Sequence, residues 1–189
     1  MNMKLHFFII LFSQFFAFIS WGRSSIDILP LQLELRYEDT SAQTKDVVSY
    51  QSLSIAYQNE AYRTDFLYSQ HQDQTGNASL NIEVLKKEYL VHLGYQLFHS
   101  ELETQRLSLD FFGQAAVGAT QTNVTTTLLG STTTASSDNS LVYGLGTVAQ
   151  GHWHFLVLQI GFDFLTSKSF SPQVVTVASI NFGFNISLP

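Results

Sequence analysis

Three short strings carry side chains able to do acid–base or metal chemistry. His99-Ser100-Glu101 sets an imidazole, a hydroxyl and a carboxylate side by side. Adjacent residues of a strand point to opposite faces, so this string cannot aim all three groups at one point. His71 and Asp73 have no serine within the same segment. No nucleophile, base and orienting group can therefore be assembled from spacing alone. His152 and His154, two apart, share one face of a strand and have the spacing of two metal ligands. They also flank Trp153, where a turn would make the pair an interfacial anchor. A second set comprises Glu34, Arg36, Arg63, Asp65, His92, Asp110 and Asp163. These lie on the polar phase of alternating segments, and their chemistry is ion pairing. The chain has no Cys, which excludes disulfides, Cys-ligated zinc and iron–sulfur clusters, and no cofactor is implied. With 9 Lys+Arg against 15 Asp+Glu and a net charge of −6, it lacks a nucleic-acid footprint.

What positions these residues is a period of two. Val174, Thr176, Ala178, Ile180, Phe182, Phe184, Ile186 and Leu188 fall on one face, while polar Ser179, Asn181, Asn185 and Ser187 fall on the other. A helix would mix the two sets on every turn. The same alternation runs through segments starting at Leu29, Leu53, Tyr62, Tyr89, Leu107, Leu141 and Leu156, with Leu29, Leu31, Leu33 and Leu35 on one face. This predicts eight antiparallel strands. Over 79–98 the apolar phase slips, from Leu80, Ile82 and Val84 to Tyr89, Val91 and Leu93. We read one long strand with a β-bulge near Leu85–Glu88; the rival is two strands turning at Lys86-Lys87, giving nine segments. The connections alternate between short (58–61, 98–104, 151–153) and mostly longer, polar ones (40–46, 71–78, 119–140, 167–173). Segment 119–140 is rich in Thr and Ser and offers a surface loop for a partner.

Residues 1–22 read as a secretory signal peptide: Lys4, an apolar run over 7–19, and small Ser20 and Gly22 before a cleavage site. Residues 23–189 are then one domain. Both an up-and-down membrane barrel and a soluble lipocalin-like barrel fit eight strands. Charge decides between them. Only 13% of residues are charged, many in connections, and one strand face is nearly free of charge. A soluble barrel would need charged outward faces. Tyr57, Tyr62 and Trp153 beside short turns, and Tyr37, Tyr68, Tyr89 and Tyr143 beside long loops, match two interfacial aromatic belts. Hydrocarbon then lies outside and the polar set inside.

On this pattern, over 29–188, the chain resembles small eight-stranded outer-membrane proteins of Gram-negative bacteria, the class of the OmpA transmembrane domain, OmpX and OmpW. Asn181, Gly183, Ile186 and Leu188 resemble the assembly signal such proteins present to the barrel-insertion machinery, although this chain ends Leu188-Pro189. The resemblance implies outer-membrane lipid as surroundings, the cell outer membrane as location and both mature termini on the periplasmic side. Some such barrels are lipid A-modifying enzymes using His, Ser and Asp, but the strings above do not reproduce that set. The expected role is structural or surface-interaction, without catalysis. The alternatives are a narrow pore, a lipid A-modifying enzyme and a soluble lipocalin-like binder. Eight strands leave an interior just wide enough for side chains, so Glu34, Arg36, Arg63, Asp65 and Asp110 are expected to join in one salt-bridge core. Three Asn-X-Ser/Thr triplets, at Asn77, Asn123 and Asn185, match the glycosylation pattern by coincidence.

Overall fold

A computed structural model describes residues 24–39, 45–77, 79–102, 107–170 and 174–188; the leader and its cleavage site lie outside these. The elements are β1 (Ser24–Asp39), β2 (Lys45–Asn59), β3 (Tyr62–Gly76), β4 (Leu80–Leu102), β5 (Leu107–Leu128), β6 (Ser131–Ser136), β7 (Ser140–Trp153), β8 (Leu156–Ser167) and β9 (Val174–Leu188). All pairings are antiparallel. Hydrogen bonds run around a closed ring, β1-β2-β3-β4-β5-β7-β8-β9 and back to β1. Closure satisfies every strand edge in the ring, which hydrocarbon demands.

The barrel is apolar outside and polar inside. Phe182, Phe184 and Ile186 point outward and are 42–49% exposed, and Leu31, Leu145 and Ile160 are more open still. An apolar surface this continuous needs apolar surroundings. Tyr62 packs edge-on to Tyr95 near the short turns, with ring centroids 5.5 Å apart, and Tyr68 meets Tyr89 at 5.1 Å nearer the long loops.

Three expectations are corrected. First, both ladders of β1 slip between Ile28 and Gln32. Pro30 sits in the slip, where it has no N–H to give. Leu29 is therefore fully buried beside the Asp27 side of the wall, while Leu31 and Leu33 face outward. Second, no bulge occurs at Leu85–Glu88. The β3–β4 ladder is unbroken from Tyr62↔Tyr95 to Gly76↔Asn81, and the shift in β4 lies between Gln96 and Phe98. It turns Phe98 outward beside Leu97. Residues 81–87 are half-buried on both faces, so apolar phase marks no side there. Third, 71–76 and 119–136 are strand, not loop. β2 pairs with β3 only as far as Gln70, and β5 with β7 only as far as Thr120. Beyond those points β3, β4 and β5 leave the ring and are joined by β6, the ninth strand. They form a four-stranded sheet projecting from the long-loop end. Its β5–β6 turn is Leu129-Gly130, with φ of 49° and 86°, the two positive values that a tight hairpin turn needs.

Candidate functional site

The inward side chains fall into separate groups along the axis, not one core. Toward the long-loop end, Arg36 donates from Nε to Glu34 Oε1 (2.6 Å) and from Nη1 to Glu88 Oε2 (2.9 Å). Its Nη2 reaches Ser69 Oγ at 3.3 Å, and its guanidinium lies 4.0 Å from the Tyr50 ring centroid. Ser52 Oγ donates to Glu34 Oε2 (2.9 Å). Charge-assisted bonds of this kind are the strong ones, and here one guanidinium serves two buried carboxylates. Glu88 is a network member that spacing alone missed. It shares the phase of Leu90 and His92, a signal hidden by the apolar slip beside it. An apolar cluster lies beside this network: Leu67, Leu90, Val142, Leu165 and Val175, with Phe170 packed against them.

At mid-height Arg63 Nη2 donates to Asp65 Oδ2 (3.2 Å), and Ser54 Oγ donates to Asp65. Across the lumen, Gln114 Nε2 donates to Asp163 Oδ1 (2.8 Å), and His92 Nε2 lies 3.8 Å from Asp163 Oδ2. Gly146 stands opposite Asp163, and a Cβ there would overlap Asp163 Oδ1. The chamber between these groups has a volume of about 20 Å³, room for roughly one water.

At the short-turn end the lumen opens into a vestibule of about 850 Å³ lined by hydroxyls, amides, His99, Asp110 and His152. Asp110 is not joined to the arginines. Its Oδ1 accepts from Gln96 Nε2 (2.5 Å) and meets His99 Nδ1 (2.7 Å), and its Oδ2 lies 3.6 Å from His152 Nδ1. The expected five-residue core therefore divides, because Asp110 sits one barrel end away from Arg36. Asp27, fully buried, accepts from Gln150 Nε2 (2.8 Å) and Asn185 Nδ2 (2.6 Å) and lies 3.3 Å from His152 Nε2. Asp27 was absent from the sequence candidates because the Pro30 slip reverses its phase.

The vestibule does assemble a serine, an imidazole and a carboxylate: Ser108 Oγ is 3.3 Å from His152 Nδ1. Ser108 is paired on both sides, with Glu101 and with His152, so the ladders hold its backbone. His99 lies in β4 rather than in a turn. His154 does not share a face with His152. It occupies the β7–β8 turn at φ 56° with its ring 5.5 Å from that of Trp153. Among the described residues, no group of three His, Cys, Asp or Glu is arranged to hold a metal. His71 packs on Tyr50, ring centroids 5.1 Å apart. Asn77 caps a turn by accepting from the N–H groups of Ser79 and Leu80. Gly183 lies where a Cβ would overlap the Ile28 carbonyl oxygen, so the β1–β9 contact itself requires glycine there.

No family model matches the chain, and neither does any curated protein sequence. Solved structures do. Ail, the attachment invasion locus protein of Yersinia pestis, is 18% identical over 87% of this chain and 99% of its own, with a TM-score of 0.55. The same protein in complex with the heparin analogue sucrose octasulfate gives 16% identity, the same coverage and a TM-score of 0.57. The likeness shows the fold: this chain is built as a closed antiparallel β-barrel of the kind seen in Ail.

Proposed function

We propose that this protein resides in the outer membrane and works at the cell surface through its projecting sheet, with the barrel as anchor. The observation that carries this reading is β6. Among the described residues it pairs with β5 alone, which leaves its other edge without a strand partner there. All six of its residues, Ser131 to Ser136, are exposed, and none is charged or proline. Unguarded edges of this kind are normally blocked. An extended peptide from a surface partner can add here as a further strand, with backbone hydrogen bonds giving affinity. Cross-strand threonine pairs, Thr125 with Thr134 (3.3 Å) and Thr127 with Thr132 (3.1 Å), tie β6 to β5.

The heparin analogue bound by Ail is a polyanion, and this chain fits one poorly. Its long-loop segments offer Lys45, Lys86, Lys87 and Lys168 against Glu38, Asp39, Asp46, Asp73, Glu83 and Asp138. A neutral, hydrogen-bonding partner suits it better. The plugged lumen argues against a pore. The test is adherence of cells displaying the protein to epithelial monolayers and immobilised matrix proteins. Removing 131–136, or the double substitution Thr133→Pro/Thr134→Pro, should abolish it while the barrel still shows heat-modifiable gel migration. Equal adherence by the deletion and the full chain would sink the assignment.

A further inference from the structure

We propose that the mid-lumen chamber is a binding site for one desolvated monovalent cation of about water's size, with Na⁺ as its test ion. Three observations converge on it. The first is charge. In the closed part of the lumen, Glu34, Glu88, Asp65 and Asp163 face only Arg36 and Arg63, two fewer cations than anions. Isolated carboxylates out of water are expensive and must be neutralised. One monovalent cation in the chamber offsets part of that excess.

The second is where acceptors stand without donors. Asp65 and Glu34 are fully occupied by Ser54, Arg63, Arg36 and Ser52. Asp163 accepts from Gln114 at Oδ1 (2.8 Å), and its Oδ2 lies 3.8 Å from His92 Nε2, beyond hydrogen-bond range. His92 is 96% buried by its 4% exposure, and neither ring nitrogen has a hydrogen-bond partner; Gln32 Oε1 is likewise buried and unpartnered. Buried polar atoms without partners are rare in folded proteins. All three residues line the same chamber.

The third is size. About 20 Å³ admits one water-sized particle and excludes a hydrated ion. A bare cation there meets Asp163 Oδ2, Gln32 Oε1 and a lone pair of His92, oxygen-rich ligation that suits a hard ion. Gly146 keeps the place open for the Asp163 carboxylate.

Binding to the folded state alone raises stability in proportion to occupancy. The experiment therefore follows the thermal unfolding midpoint of the refolded barrel in lipid vesicles, in NaCl and in N-methyl-D-glucamine chloride of equal ionic strength. Na⁺ should raise the midpoint by several degrees, saturably, because the glucamine ion is too large to enter. Asp163→Asn should remove the difference. Should that variant not refold, Gln32→Leu, which keeps every charge, should weaken the Na⁺ response. Identical midpoints in the two salts would mean a water molecule in the chamber and would overturn the proposal. So would a Na⁺ response undiminished in both variants, which would place the ion elsewhere. Neither outcome depends on the surface role proposed above.

Discussion

Arg36 on β1 and Glu88 on β4 are 52 residues apart in sequence, yet the guanidinium meets both carboxylate oxygens, with each side chain about 1% exposed. The contact bridges four strands of the ring. Replacing Arg36 with Met leaves Glu34 and Glu88 buried without a counter-charge. The expected loss is about 3–5 kcal/mol, read as a lower urea midpoint in vesicles. Little change would show that water or protons compensate freely at this level.

Gly146→Ala drives a methyl group into Asp163 Oδ1 and should cost about 1–3 kcal/mol by overpacking. Gly130→Ala meets nothing within 4 Å, but its φ of 86° strains any L side chain. It should cost about 1–2 kcal/mol, confined to the hairpin. Hydrogen exchange separates the two: the first loosens the barrel amides of β7 and β8, the second only those of β5 and β6.

Leu145 stands midway along β7 and is 68% exposed on the outer wall. Leu145→Arg should reduce stability by about 2–4 kcal/mol in a bilayer, and Thr133→Arg, on the projecting sheet, by almost nothing. A refolding titration in vesicles compares them. Equal effects would mean that the apolar wall does not meet hydrocarbon.

The lumen is closed at mid-height, so planar-bilayer recordings should show no stable stepwise conductance. Sustained steps in the wild type would require the Arg63–Asp65 and Gln114–Asp163 contacts to part in the membrane.

Lipid A from cells overproducing the protein should have the same mass profile as lipid A from control cells. A mass change that Ser108→Ala abolishes would reassign the vestibule as an active site, with His152 and Asp27 as base and orienter.

The inside-out arrangement was readable from period-two segments such as Val174–Ile186 together with the scarcity of charge on their apolar face, because alternation alone also fits a sheet whose apolar face is buried. Where the pattern failed, a local event had broken the link between parity and face. Pro30 shifts both ladders of β1, so Leu29 and Asp27 lie inward against the count. Beyond the ring, Ile82 and Val84 no longer meet lipid, so their alternation suggested a bulge and concealed Glu88. The division of the polar residues depends on axial height, which parity does not encode; Asp110 therefore could not be separated from Arg63. The β5–β6 hairpin escaped notice because Leu-Gly is an unusual pair for its turn and threonine on both faces leaves no apolar phase.

That turn has a cost and a reach. Leu129 holds a left-handed backbone that asparagine would accept more readily, and it is 81% exposed with Leu128 beside it. Eight strand rises separate Leu128 from Thr120, about 26 Å at ~3.3 Å each. Among the described residues, the far end of the projecting sheet is thus a greasy fingertip on a hydroxylated stem, level with the β3–β4 turn and held in a strained backbone pose.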